Sequence, residues 1–256
     1  MPEDGEKRGG MSWLTDLFDA YSLKARVLPV ILVLAPIVLL PAVLLGSERV
    51  AGFAVVGVIA AALLFPVTGW VRERGKKLEP ILFSEWHGPP TTRMLLWGDP
   101  AIDERSKERY YKFFRDNNVK IPTPDEQKKN PAAAHAELAS AIKYLIENRR
   151  ANSLVLGENA SYGFRRNLYP IKWLGVGTAI LAGVVNLWLI VELIGSPSVT
   201  SFADFKDQVE IENIAGLAVD ILLLAFFATR SKAWIKRAAE TYAKALIQTC
   251  DRQAKP

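Results

Sequence analysis

Four stretches of the chain carry almost no charge. They are residues 27–46 (VLPVILVLAPIVLLPAVLLG), 50–71, 171–194 and 213–229. At ~1.5 Å per residue, a helix of about twenty apolar residues covers the ~30 Å hydrocarbon core of a bilayer. The pattern therefore predicts four transmembrane helices, the last at the short end of the spanning range. Pro29, Pro36 and Pro41 would break a soluble helix, but a spanning helix tolerates proline when its neighbours satisfy the freed carbonyls. A kink is expected near Pro36. Only Ser47, Glu48 and Arg49 separate the first two runs, so these must form a tight antiparallel hairpin. Gly52, Ala54, Gly57 and Ala61 give the second run small surfaces for close helix approach. Trp173 and Trp188 stand near the two ends of the third run, where indole rings prefer to sit.

Between and beside these runs the pattern is that of amphipathic helices. Trp13, Leu14, Leu17, Phe18 and Tyr21 fall on one face of an N-terminal helix, and Trp234, Ile235, Ala238, Tyr242, Ala245, Leu246 and Thr249 repeat the spacing after the fourth run as a helical extension. Thr91 or Thr92 is expected to cap a short helix ending at Gly98-Asp99-Pro100. Residues 103–117 oppose charge to Tyr110, Tyr111, Phe113 and Phe114. Asn130-Pro131 opens a helix to about Arg150 with Leu138, Ile142, Leu145 and Ile146 inward. Residues 121–125 (IPTPD) read as a stiff connector. Ser201 and Asp204 can form a capping box for a short helix carrying Phe202, Phe205 and Val209. No alternating strand pattern competes.

The expected fold is thus an all-α membrane protein: two transmembrane hairpins with a helical cytosolic domain inserted between them. Its segments are an amphipathic N-terminal piece (1–26), hairpin 1 (27–71), the cytosolic domain (72–170), hairpin 2 (171–229, with an outer loop at 195–212) and an amphipathic C-terminal helix (230–256).

Charge sets the orientation. Of 32 Lys and Arg residues, four precede the first run, nineteen lie from Arg72 to Lys172 and seven from Arg230 onward, leaving only Arg49 and Lys206 elsewhere. Basic residues near span ends stay in the cytoplasm, so both termini and the central domain are expected there. This topology also accounts for the net charge of +5. Nucleic-acid binding would need basic residues gathered on a folded surface with aromatics among them, and is not expected. Residues 1–26 are too long for the charged region of a cleaved signal peptide, so the first run is expected to remain as an anchor. One cysteine and two histidines, His87 and His135, give no metal-ligand spacing, and no glycine-rich phosphate loop occurs. No cofactor or metal is expected.

Residues 86–95 (WHGPPTTRML) and 158–168 (ENASYGFRRNL) together resemble segments of a family of bacterial four-span inner-membrane proteins, in which PTT and YGFRRN-type segments bracket a cytosolic region between two helical hairpins. The resemblance covers roughly 72–170 and the flanking spans. It implies a bacterial inner membrane and names no reaction.

Among single residues, Asp220 carries the sharpest signal, because a carboxylate near the middle of a span costs ~3 kcal/mol or more unless paired, hydrated or protonated. It lies ten residues from Arg230, and Asn186 is its best polar partner in the sequence. Two readings stand: a proton or cation site, or a hydrogen bond locking helices together. Arg165 and Arg166, with Tyr162 and Glu158 upstream, read either as a positive flank with an aromatic belt or as a site for an anionic ligand or lipid headgroup. His87 lacks a nucleophile or metal partner at motif spacing and, before Gly88-Pro89-Pro90, reads as a turn. Cys250 reads as a small buried apolar residue. With no catalytic constellation, the expected function is a non-enzymatic, homo-oligomeric adaptor, sensor or membrane-acting effector. The alternative is an oligomeric channel or ion-coupled transporter using Asp220. Expected partners are membrane lipids, further copies of the chain, and a cytosolic protein or small anion.

Overall fold

The computed structural model describes residues 20–45, 50–149 and 151–251, without the side chains of 41–43, 45, 50–56, 58–61, 63, 65 and 207. Residues 1–19 of the N-terminal amphipathic segment, the 47–49 turn and the surroundings of Gly52, Ala54 and Ala61 fall outside what is described, whereas residues 20–26 are helical. The described residues are helical and include no strand. In chain order, a turn of α-helix (Ala20–Ser22) and five π-helical residues (Leu23–Val27) lead into α1 (Leu28–Leu45). Then come α2 (Val50–Glu85), α3 (Pro90–Arg93), α4 (Glu104–Asp116), α5 (Pro124–Lys129) and α6 (Pro131–Arg149). The chain continues with α7 (Ser153–Leu168), α8 (Lys172–Ile194), α9 (Phe202–Gln208), α10 (Ile211–Ala228) and α11 (Lys232–Ile247).

These elements form two compact units, one of residues 1–75 and 167–231, the other of 76–166 and 232–256. The chain passes between them within α2, within α7 and at Ser231-Lys232.

The first unit carries the apolar helices. Ala20–Leu40, Ser153–Ile194 and Ile211–Ala228 each hold a stretch long and apolar enough to cross a membrane. The run expected as a second span falls in the first half of α2, where most side chains are undescribed. α8 packs on both α10 and α1, and α10 packs on α1. The seam of α8 and α10 is fitted around small residues: a Cβ at Gly175 would stand 2.6 Å from Phe227 Cε2, so only glycine admits that ring. α1 runs unbroken past Pro36. The irregularity lies ahead of Pro29 instead, where the Leu28 N–H reaches five residues back to the Leu23 carbonyl. A missing N–H at Pro29 disrupts the ladder at that point, and a π turn is one way to absorb it.

The second unit is a helical domain whose core joins Met94, Leu95, Tyr110, Tyr111, Phe114, Leu138, Ile142 and Leu145 to Leu246, Ile247 and Cys250. α11 is therefore part of this domain's core, and residues 229–231 interrupt the expected helical extension from α10. Helix starts follow local chemistry. The Asp103 carboxylate accepts from the Ser106 N–H (2.9 Å) to cap α4, and Asn130 Oδ1 accepts from the Ala133 N–H (3.1 Å) ahead of Pro131. Neither Thr91 nor Thr92 is a cap: α3 begins at Pro90 with Pro89 before it, and Thr92 is buried. The connector expected at 121–125 instead starts α5. Thr123 and Glu126 form a reciprocal capping box, with Pro124 in the first turn where its missing N–H costs nothing. Gln127 then clasps Trp97, accepting from its N–H (2.9 Å) and donating to its carbonyl (3.1 Å). His87 closes α2 in the left-handed region (φ 60°), and the Gly88 N–H reaches back to the Phe83 carbonyl (2.8 Å), which is a Schellman closure.

Candidate functional site

The polar centre of the first unit is Asp220 on α10 facing Asn186 on α8. Asn186 Nδ2 donates to Asp220 Oδ2 at 2.7 Å, and the two residues are 2% and 3% exposed. Close approach of the helices makes this possible. Gly183, one turn before Asn186, leaves the space where a Cβ would touch Asp220 Cβ at 3.6 Å. Buried polar groups are ordinarily satisfied, and each exception calls for a reason. Here Asn186 Oδ1 is sealed and has no hydrogen-bond partner among the described residues, and the same holds for Asn213 Oδ1, seven residues before Asp220 on α10. Seven residues are close to two helical turns, so Asn213 and Asp220 lie on one stripe of α10.

A second polar contact ties α1 to α8 within this unit: the Thr178 hydroxyl donates to the Val33 carbonyl (2.8 Å). A third sits at the start of the helices. Asn167 Nδ2 donates to the Ala25 carbonyl at 2.7 Å, and Asn167 is buried. A Cβ at Gly75 would collide with Asn167 Oδ1, so glycine at that place in α2 makes room for the amide. Lys172 Nζ donates to the Arg230 carbonyl (2.8 Å), covering the C-terminal end of α10 with a cation.

In the helical domain, Tyr162, Phe164, Arg165 and Arg166 of the YGFRRN segment are each engaged. The Tyr162 hydroxyl donates to Glu79 Oε1 (2.9 Å), and Arg166 Nη1 donates to the same oxygen (2.7 Å). Tyr162 also stacks on Tyr242 of α11, the rings 6.4 Å apart and 5° from parallel. Burial, reinforced by the Glu79 carboxylate, pushes the Tyr162 phenol well above its ordinary range, so it serves as a fixed donor. Arg165 Nη1 donates to the Trp234 carbonyl (2.9 Å) and lies over that indole ring at 5.1 Å, while Phe164 meets the same ring edge-on. The PTT segment ends on Arg93, which pairs with Glu240 of α11 (3.1 Å) and with Asp99 (3.2 Å). Glu85 pairs with Lys232 at the start of α11.

Of the sequence candidates, Asp220 and Asn186 are brought together. Tyr162 and Arg166 share a carboxylate, but it is that of Glu79 on α2. Glu158, upstream of the two arginines on α7, makes no hydrogen bond or ion pair among the described residues. Arg165 faces Trp234. The reason is reach: Glu158 stands seven and eight residues before the arginines, about 10–12 Å along the helix, whereas side chains on one helix meet at three or four residues. His87 is exposed in its turn. Cys250 is buried, and burial beside Asp251 pushes its thiol up to about 12.

Sequence reasoning missed Lys107, which is 0% exposed. Its Nζ donates to the Asp99 carbonyl (2.7 Å) and to Glu104 Oε1 (3.0 Å), fastening the Gly98-Asp99 loop onto α4. Its i,i+3 spacing from Glu104 was the available signal. No group of three or more metal-ligating side chains occurs among the described residues. No protein-family model, curated protein or solved structure matches this chain.

Proposed function

We propose that the chain is a four-span protein of a bacterial inner membrane, with both termini and the helical domain in the cytoplasm, acting as a non-enzymatic, homo-oligomeric adaptor, sensor or membrane-acting effector. The observation that carries this reading is the Asp220–Asn186 bond. An acid bonded to a buried amide of its own chain, and itself 3% exposed, locks α8 to α10. Two further features support it. The distribution of Lys and Arg favours the cytoplasmic placement. The helical domain shares three chain crossings with the apolar unit, so a change in one has several covalent routes to the other. The resemblance of the PTT and YGFRRN segments to the bacterial family points the same way.

A second reading, an oligomeric channel or ion-coupled transporter centred on Asp220, draws on one observation. Asn186 Oδ1 and Asn213 Oδ1 are sealed acceptors without partners along the same stripe as the acid. Such oxygens suit a water, a proton carrier or a small cation.

Topology and conduction are separately testable. With Cys250 replaced by Ala, a cysteine introduced at Ser198 is labelled by an impermeant maleimide on intact cells and one at Ser140 is not. Labelling at Ser140 would overturn the orientation. Reconstituted wild type shows no cation flux on the leading reading, and flux that Asp220→Asn abolishes would establish the second.

A further inference from the structure

Residues 195–210 join α8 to α10 and, with Ile211 at the start of α10, lie wholly within the apolar unit. α9 has only seven residues, too few to hold a helix in water by itself. It is held by a closed polar frame. The Asp204 carboxylate accepts from the N–H of Thr200 (3.0 Å), the N–H of Ser201 (2.8 Å) and the Thr200 hydroxyl (2.8 Å), while Ser201 Oγ accepts from the Asp204 N–H (3.2 Å). At the other end the Ser198 hydroxyl donates to Gln208 Oε1 (2.7 Å) and Gln208 Nε2 donates to the Ser198 carbonyl (3.0 Å).

What this frame displays is apolar. Phe202 is 80% exposed, with its ring 6.4 Å from that of Phe205, and Ile211, opening α10, is 76% exposed. On either side of the segment the exposed apolar surface continues, through Trp188, Val191 and Ile194 on α8 and Ile214 on α10. A frame that is already folded adds little ordering cost when its side chains are covered, so the covering surface gains nearly the full benefit of the contact. The charges select that surface. Residues 196–212 hold Asp204, Asp207, Glu210 and Glu212 against Lys206 alone, which disfavours an anionic face.

We propose that residues 196–211 are a pre-formed anchor that seats Phe202 and Ile211 among zwitterionic phospholipid headgroups at the outer surface of the bilayer. The inference rests on the membrane-spanning reading above. Aromatic and aliphatic side chains at this depth lose their water contact while the carboxylates stay hydrated.

The test uses the full chain with Cys250→Ala, reconstituted in phosphatidylcholine vesicles, with a nitroxide attached through Ala203→Cys or through Leu181→Cys on the exposed face of α8. Collisional relaxation by oxygen reports lipid, and relaxation by a nickel chelate reports water. The expected result is an oxygen-dominated signal at 203 that turns nickel-dominated with Phe202→Asp, persists with Phe202→Trp, and weakens when phosphatidylglycerol replaces part of the lipid at low salt. A nickel-dominated signal at 203 with 181 in lipid overturns the anchor alone. Shielding at 203 that vanishes on diluting protein in the vesicles assigns the face to a second copy, which also overturns it. A nickel-dominated signal at 181 overturns the membrane reading itself.

Discussion

The side-chain amide of Asn167 donates to the main-chain carbonyl of Ala25 at 2.7 Å, and Pro29, four residues beyond Ala25, has no N–H to offer that carbonyl. An asparagine at the end of the YGFRRN segment thus repairs a proline defect at the entrance to α1. Gly75 on α2 clears the space for it.

Loss of the amide should therefore leave a buried carbonyl unsatisfied. Asn167→Ala is expected to cost ~1–3 kcal/mol, and Gly75→Ala a similar amount by displacing the amide. Gly57→Ala, at a position with open space around it, is expected to be neutral or slightly stabilising. Unfolding of the three variants in detergent micelles, monitored by circular dichroism, checks the order. Equal stability of Asn167→Ala and wild type would remove the repair argument.

At the α8–α10 seam, Asp220→Asn keeps a hydrogen-bonding side chain facing Asn186 and should leave stability nearly unchanged. Asp220→Leu should cost on the order of 1 kcal/mol, as interhelical hydrogen bonds in membranes do. The same unfolding assay separates the two. If Asp220→Leu proves as stable as wild type, the bond at 2.7 Å is not what holds the helices.

Much of this was legible beforehand because it is local. Asp103, Asn130-Pro131 and Ser201-Asp204 start helices for reasons contained within four residues. The start of α5 was equally local: Thr123-Pro124-Asp125-Glu126 is a capping-box sequence, obscured by the two prolines that made the segment read as a connector. Asn186 was readable as the partner of Asp220 because polar residues are scarce in the spans. Glu79 was not readable as the partner of Arg166, since the two lie 87 residues apart among many carboxylates. The same distance problem hid the pairing of Arg93 with Glu240, 147 residues away, and hence the place of α11 in the domain core.

Arg166 and Glu79 are 13% and 25% exposed, so their pair is only partly screened by solvent. Arg166→Ala is expected to lower the stability of the helical domain by ~1–3 kcal/mol, below the cost of breaking a fully buried pair, without preventing membrane insertion. Glu158→Ala should fall within ~0.5 kcal/mol of wild type. Limited proteolysis of membrane vesicles reads both, and an unchanged protection pattern for Arg166→Ala would count against the assignment.

Cys250 supplies a pH test. Burial raises its thiol from 9.0 to about 12, so folding favours the protonated form. Its contribution is constant below pH 9 and is lost as pH rises from 9 toward 12, where the unfolded chain ionises first. Native protein at pH 8 is expected to resist thiol reagents and to react on unfolding. Across pH 9 to 11 the stability of wild type should fall more steeply than that of Cys250→Ala.

The core of the helical domain takes Leu246, Ile247 and Cys250 from the far end of the chain, after α8, α9 and α10 have been made. A ribosome adding ~5–20 residues per second needs roughly 4 to 17 seconds to travel from Arg166 to Cys250. Throughout that interval the core of the nascent domain lacks the side chains that α11 supplies, while the apolar helices α8 and α10 are being made. Completion of the domain thereby reports that synthesis has passed those helices. A truncated product would keep Leu138, Leu145 and Phe114 uncovered, the kind of apolar surface that chaperones and quality-control proteases engage.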